Sequence, residues 1–462
     1  MKSMLHSRDV VAVIVARALM MGALSVVTVS VLLRVHDAGH GPWATSAVFV
    51  VLALPSVLGM TVAGNLADRV DSRVLLTSAL SAQAVGTLAL GSNAGLVWTL
   101  GWLAVFETGF VLASPVWTAL VPRIVGDQGV QRVAGAQMVA SSIAQPLGAA
   151  AAGLSVDRIG HLHTPWTATA LTVVVLVVAL SLRTRRGGRA GGARDAAGNG
   201  GLSHIRRDPV LLALLTGTVV LVFAVQGVNV VEVFLVRDAL HASASQYGLG
   251  ELGFGLGSVV AGVLIGRVAT DVGRVRTVVF GFALAGVVCV AIGLAPGFWI
   301  YWTLLSVLGL VNAAANGCLG PLVVLRTPDH LRGRVIAVLS GVVSAASVVS
   351  LLAGGLVGSW LGPRLTFVAA GVLGTAAALA MGLRVRRAMT DQPLGPPTHE
   401  AQEPTTDEAQ GPPTHEAQGP TTAPLVPPNA TLVPAAAALV ATTAAATGEG
   451  TTAEGVAPAP AA

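Results

Sequence analysis

Apolar residues in this chain run in long blocks, and the polar residues are confined to the short breaks between them. The blocks fall near 10–33, 43–66, 74–93, 95–120, 133–156, 165–182, 209–236, 246–266, 277–295, 297–325, 335–361 and 364–383. Each is long enough for a helix to cross the hydrocarbon layer of a bilayer, so the pattern predicts twelve membrane spans. The breaks come at Gly, Pro and charge, as at His36-Asp37-Ala38-Gly39-His40-Gly41-Pro42 and at Asp157-Arg158-Ile159-Gly160. The first block is too long for a signal-peptide core and lacks a convincing cleavage site, so it reads as a retained span.

Basic residues set the expected orientation. With the loops numbered alternately, 22 of the 27 Lys and Arg residues lie on the side of the N-terminus. Only Arg34, Arg158, Arg237 and Arg364 lie on the other side, and Arg17 lies within a span. That asymmetry predicts a multi-pass protein of the cell membrane with both termini cytoplasmic.

The spans divide into two sets of six. Residues 1–182 read as an N-terminal half, 183–208 as a flexible cytoplasmic linker rich in Arg and Gly, and 209–388 as a C-terminal half. Residues 389–462 are rich in Pro, Thr and Ala and carry an eight-residue repeat, in which Gly395–Gln402 returns at Gly411–Gln418. Such a segment has nothing with which to build a core and reads as a disordered tail.

Composition narrows the class. With 53% hydrophobic and 11% charged residues and a mean hydropathy of +0.75, a soluble globular fold is excluded. The formal charge of +5 invites a nucleic-acid reading, but the arginines occupy loops between spans, and membrane orientation explains them. No phosphate loop with lysine, no histidine–carboxylate cluster within spans and no CxxC is present, so no enzyme, cofactor or metal is expected. His399 and His415 read as repeat residues, not metal ligands.

One loop carries a recognisable motif. Gly64-Asn65-Leu66-Ala67-Asp68-Arg69-Val70-Asp71-Ser72-Arg73 lies between the second and third spans. It resembles motif A of the major facilitator superfamily, G-x-L-A-D-R-x-G-R-R/K. Gly64, Leu66, Ala67, Asp68, Arg69 and Arg73 match; Asp71 stands where glycine is usual and Ser72 where the first basic residue is usual. Gly64 would let two helices approach closely, and Asp68 would accept from a helix N-terminus or an arginine.

A second copy at the matching place after the eighth span keeps Gly266, Gly273 and Arg274, with Thr270 at the aspartate position and the acid moved to Asp271. Ser114–Arg123 likewise resembles Gly320–Arg326. The resemblance covers residues 1 to about 385. It implies an all-α membrane fold of two six-helix pseudo-repeat bundles, with substrate bound between the halves near mid-membrane.

Ionisable and polar groups inside spans are costly and therefore candidates for function. Arg17 lies about two turns into the first span and Glu107 midway along the fourth. In the superfamily these spans line the central cavity, so the resemblance brings the two together as a pair, either a coupling device in which protonation of Glu107 releases the arginine or a static ion pair that fixes helix packing. In the second half, Gln226, Asn229 and Glu232 share a flank of the seventh span, Glu251 lies two turns into the eighth, and Asn312 and Asn316 share a face of the tenth. Glu232 has an alternative as an interfacial group reaching toward Arg237.

Two further family motifs bear on direction. Motif B of proton-coupled exporters places an arginine four residues before a glycine in the fourth span; before Gly109 that position is Val105. The fifth span holds Gln145–Gly153, similar to the glycine–proline motif C of exporters, with Pro146, Gly148 and Gly153 as kink and packing residues.

The resemblance therefore implies a monomeric secondary transporter, similar to multidrug or macrolide exporters, that exchanges small apolar or weakly cationic compounds for protons. The alternatives are a siderophore or metabolite exporter, an importer, or a non-transporting membrane scaffold or sensor.

Overall fold

The computed structural model describes residues 8–92, 95–182, 200–265, 270–328 and 331–391. Gly266, most of the 183–208 linker, the tail repeat and the side chains of Asp68 and Asp271 lie outside what is described. The elements are all helical: α1 (Arg8–Asp37), α2 (Pro42–Arg69), α3 (Ser72–Leu90), α4 (Leu96–Val125), α5 (Asp127–Ser181), α6 (Gly200–Arg207), α7 (Pro209–Phe234), α8 (Ala244–Ile265), α9 (Asp271–Gly293), α10 (Phe298–Leu325) and α11 (Arg332–Asp391). A π-helical turn, Leu235–Ala239, extends α7.

Among the described residues ten helices are long and apolar enough to cross a membrane. Two of them are double. Gly160 (φ 81°, ψ 162°) breaks α5 and Gly362 (φ 74°, ψ 169°) breaks α11, each in a conformation that side-chain-bearing residues rarely adopt. With those breaks the ten helices make twelve spans. The starts are chemically marked: Pro42 and Pro209 occupy first-turn positions, and Asp208 caps α7 by accepting from Val210 N and Leu211 N.

The packing repeats. In the first half α1 packs on α5, α2 and α3 on α4, and α3 on α5; in the second, α7 packs on α11, α8 and α9 on α10, and α9 on α11. Glycines set the two longest seams. A Cβ on Gly148 would lie 2.5 Å from Gly22 O, and one on Gly354 would lie 2.5 Å from Gly227 Cα. Lipid supplies no hydrophobic drive between helices, so backbone approach at small residues is what holds these pairs together.

The halves meet through two equivalent contacts, α5 on α8 and α2 on α11. Gly248 lies against Ala149 and Ala150, Gly153 against Ala244, and Pro146 against Gly255. Ser46 donates to Leu351 O at 2.7 Å. These contacts belong to the end of the bundle that carries the α1–α2 turn and Gly160. There Ala44, Thr45, Ser46, Val48, Phe49 and Leu52 of α2 are buried; toward its other end Leu54, Val57, Leu58 and Val62 are exposed. The bundle is thus closed at one end and its halves diverge toward the other.

Within the stretch expected to be a flexible linker, residues 200–207 form α6. Eight residues are too few to show a helical period in sequence. Ile205 anchors α6 in an apolar cluster with Leu211, Leu215, Val323 and Val335, and Asp208 lies 3.6 Å from Arg326.

Candidate transport site

Glu107, Phe110 and Ser114 stand three and seven residues apart and so share one face of α4. That face meets α1 and α2. Arg17 Nη1 donates to Ser114 Oγ at 2.7 Å, and the guanidinium lies 5.9 Å from the Phe110 ring centroid. Glu107, with no exposed surface, accepts from Ser56 Oγ at 3.5 Å. Arg17 Nη2 and Glu107 Oε2 are both buried, and neither has a hydrogen-bond partner among the described residues.

The expected Arg17–Glu107 pair is therefore not made in this arrangement. The reason is register: the arginine reaches α4 two turns beyond the glutamate, where the Ser114 hydroxyl and the Phe110 ring receive it. The structure does place both groups along one wall between the first, second and fourth spans.

Gly109, the glycine of the missing motif B, turns away from this wall. A Cβ there would lie 2.5 Å from Ala79 O and 2.9 Å from Gln83 Cγ, so it serves the α3–α4 seam. The motif C-like stretch is the three-way seam of α1, α5 and α8: Gly148 meets Gly22, while Pro146 and Gly153 meet α8 of the other half.

In the second half the polar residues sort into pairs. Asn229 Nδ2 donates to Gln226 Oε1 at 3.2 Å and to Gln226 O at 3.3 Å. Asn316 Nδ2 donates to Asn312 Oδ1 at 2.9 Å and to Asn312 O at 2.8 Å. Gln226 Nε2 and Asn316 Oδ1 remain buried without partners.

Glu232 does not reach out to Arg237. It is buried and accepts from the Tyr301 hydroxyl at 2.6 Å, while Arg237 bonds Ala242 O and Asp37. Glu251 is buried on α8.

Motif A lies at the open end. A Cβ added at Gly64 would meet nothing within 4 Å, so the close helix approach expected there is absent while the halves diverge. Asp71, the departure from the family pattern, caps α3 by accepting from Arg73 N at 2.8 Å. Arg73 Nη2 donates to Leu180 O at the end of α5, and Arg69 is exposed. Thr270 caps α9 by accepting from Gly273 N at 3.1 Å.

Sequence reasoning missed the polar lock at the closed end. His36 Nε2 lies 2.8 Å from Asp238 Oδ1 and its Nδ1 3.0 Å from Asp37 Oδ1; Arg237 Nη2 lies 3.3 Å from Asp37 Oδ1. Asp157 accepts from Ala244 N at 3.2 Å and Ser245 N at 2.7 Å, and so caps α8 from the opposite half. Of these acids only Asp37 meets an arginine of the arginine-poor side, Arg237; Asp238 meets His36 and Asp157 meets backbone N–H groups.

Two pseudo-equivalent six-span bundles, joined at one end and enclosing buried ionisable groups, define a multi-pass membrane transporter. The Major Facilitator Superfamily model matches residues 11–235 and again 214–452, and the chain belongs to that superfamily. Its members carry solutes across membranes, and the chain is a transporter rather than an enzyme.

The chain is similar to the multidrug efflux pump Tap of Mycobacterium tuberculosis (strain ATCC 25618 / H37Rv), with 25% identity over 73% of this chain and 83% of that one. It is 21% identical to macrolide efflux protein A of Streptococcus pyogenes over 70% of this chain and 84% of that one. Among solved structures it shares its fold with a bacterial homologue of the human lysosomal transporter Spinster (TM-score 0.63, 15% identity, 83% of this chain and 97% of that one). It shares it equally with the nucleoside transporter NupG (TM-score 0.65, 10% identity, 83% and 99%).

Proposed function

We propose that this chain is a monomeric secondary exporter of small apolar or weakly cationic compounds, driven by proton antiport through alternating access. The observation that carries the reading is Glu107: a fully buried carboxylate with one oxygen unpartnered, on the same α4 face that receives Arg17. A buried carboxylate without a cation is held most cheaply as the acid, and a cation moving beside it expels the proton. The efflux activity in the names of the relatives from Mycobacterium and Streptococcus supports the direction.

On this reading the arginine-rich side is cytoplasmic, the closed end faces outward and the cavity opens inward. Substrate enters between α2, α5, α8 and α11 where they diverge. Rocking of the halves breaks the His36, Arg237 and Asp157 contacts outside and closes motif A inside, where Asp68 acts as a latch. The spans hold few charges, so the cavity suits apolar solutes better than strongly anionic ones.

The test uses the full-length protein in everted membrane vesicles, with ethidium as probe. Ethidium accumulation should depend on an inwardly acidic pH gradient, collapse with a protonophore and dissipate part of the gradient. Accumulation that is indifferent to the gradient refutes proton coupling. Susceptibility profiling of a deletion strain against a compound panel then assigns the substrate, and a strain with unchanged susceptibility to every compound argues against drug export.

A further inference from the structure

The short helix α6 lies where the sequence leads one to expect only loop, and a helix of that length is marginal on its own. Its order comes from the second half. Ile205 is 2% exposed and shares an apolar cluster with Leu211, Val323 and Val335, from the first turn of α7, the last turn of α10 and the first turn of α11. The His204 ring lies 3.3 Å from Arg326 O, and Asp208 N donates to His204 O at 3.1 Å, which closes the last turn.

This anchorage fixes what the other side of α6 presents. Leu202, Arg206 and Arg207 are exposed, and Leu202 and Arg206, four residues apart, share a face. Arg334, exposed beside Val335, extends the basic surface onto α11. Among the described residues Arg206, Arg207 and Arg334 have no hydrogen bond or ion pair. The acid next to them in the chain, Asp208, is engaged already: it accepts from Val210 N at 2.8 Å and Leu211 N at 3.1 Å and lies 3.6 Å from Arg326.

An arginine that serves only to keep its loop on the inner side needs no ordered helix. Ordering α6 costs chain entropy, and what it adds is two neighbouring guanidinium groups at a fixed spacing, with a leucine beside them. Guanidinium is a planar fork that matches phosphate oxygens, and the inner leaflet of a cell membrane is anionic. The exposed leucine decides between a soluble anion and a lipid. A soluble anion offers it nothing, whereas at the headgroup boundary it reaches acyl chain.

We propose that α6 is a docking surface for anionic phospholipid of the inner leaflet. Arg206, Arg207 and Arg334 hold the headgroup phosphate, and Leu202 enters the acyl boundary. The inference takes its sidedness from the orientation proposed above; lipid selection by α6 is independent of proton coupling.

The test puts a fluorophore on α6 through Ser203→Cys in the full-length protein. Cys289 and Cys318 are buried, so labelling is confined to the new thiol. The protein is placed in phosphatidylcholine nanodiscs doped with spin-labelled phosphatidylglycerol or, at the same fraction, with spin-labelled phosphatidylcholine. Quenching should be several-fold stronger with phosphatidylglycerol, weaken at high salt, and lose its lipid preference in the double variant Arg206→Gln/Arg207→Gln. Equal quenching by the two lipids, or a double variant that keeps the preference, overturns the proposal. Inorganic phosphate, compared with chloride at equal ionic strength, should leave the preference in place; if it abolishes it, the surface is a free-phosphate site and the lipid assignment fails. Should the double variant fail to insert, the lipid comparison on the arginine-bearing protein still decides. Nanodiscs offer the same lipid to both faces, so a wrong orientation leaves this result untouched and shows itself separately, as accessibility of the labelled thiol from outside intact cells.

Discussion

Arg17 donates to Ser114 at 2.7 Å while Glu107, on the same face of α4, keeps one carboxylate oxygen without a hydrogen-bond partner among the described residues. The serine lies seven residues beyond the glutamate, about 10 Å along the helix axis. To neutralise Glu107 the arginine must leave the serine hydroxyl and the Phe110 ring and travel up the α4 wall. Ser114 is thus the group that holds the arginine away from the Glu107 carboxyl while the bundle is closed at the α1–α2 end.

Ser114→Ala should loosen that arrangement. Leaving a buried guanidinium donor without its acceptor costs about 1–3 kcal/mol, enough to shift a two-state balance roughly tenfold. Spin labels at Ala38 and Leu240 should report a larger open fraction at this end in the variant than in wild type. An unchanged distance distribution means that Ser114 does not hold the state.

Gly248→Val should act at the other wall in the same direction. A Cβ at Gly248 would lie 2.5 Å from Ala149 O, and backbone cannot yield as a side chain does. Overpacking of this kind costs about 1–3 kcal/mol, and it falls only on the arrangement in which α5 and α8 touch. The same label pair should show the halves separated, with ethidium export reduced. Gly262→Val, at a position of α8 with open space, is the control that should leave both unchanged.

The lock around His36 makes closure sensitive to acid. Imidazole titrates near neutral pH, and this ring bridges Asp37 of its own half and Asp238 of the other. Protonation places a positive charge between two carboxylates, which favours closure; deprotonation removes that attraction. Acidifying the medium through the histidine range should raise the closed fraction, by no more than about 1 kcal/mol for a group near water. His36→Gln should flatten the dependence while keeping a hydrogen bond to one aspartate. A variant that still responds to pH as wild type does would move the sensitivity to another group.

The twelve spans were legible because bilayer thickness imposes a length on apolar runs, and the repeat was legible because two loops keep related motifs. Gly160 and Gly362 were visible as breaks, though not as kinks within continuous helices. What sequence did not reveal was partner choice. Glu107 was readable as a buried acid, but Ser56 and Ser114 are unremarkable small residues in apolar runs, and only the packing of α1 and α2 on α4 gives them roles. Tyr301 was overlooked because a tyrosine near a span end is normally interfacial. The cross-half cap of α8 by Asp157 joins residues 87 positions apart, which no local spacing encodes.

Glu107 is the residue on which proton coupling should turn. It is fully buried, its Oε2 has no partner among the described residues, and the Ser56 hydroxyl stands at 3.5 Å. On the proposed reading, Glu107 ionised in this setting would be an uncompensated buried charge, and it keeps its proton for as long as Arg17 stays on Ser114. That reading has the proton depart when the halves rock and Arg17 advances along α4 to stabilise the carboxylate. Glu107→Gln keeps the size and the Ser56 contact but fixes the uncharged form. It should therefore insert and fold normally, bind ethidium with near-wild-type affinity, and lose the pH dependence of export in everted vesicles. Arg17→Ala should do a different kind of harm: the carboxylate stays protonated throughout, so binding survives and turnover falls. If Glu107→Gln exports ethidium with the wild-type pH profile, Glu107 is not the coupling acid, and Glu251, buried on α8, becomes the next candidate.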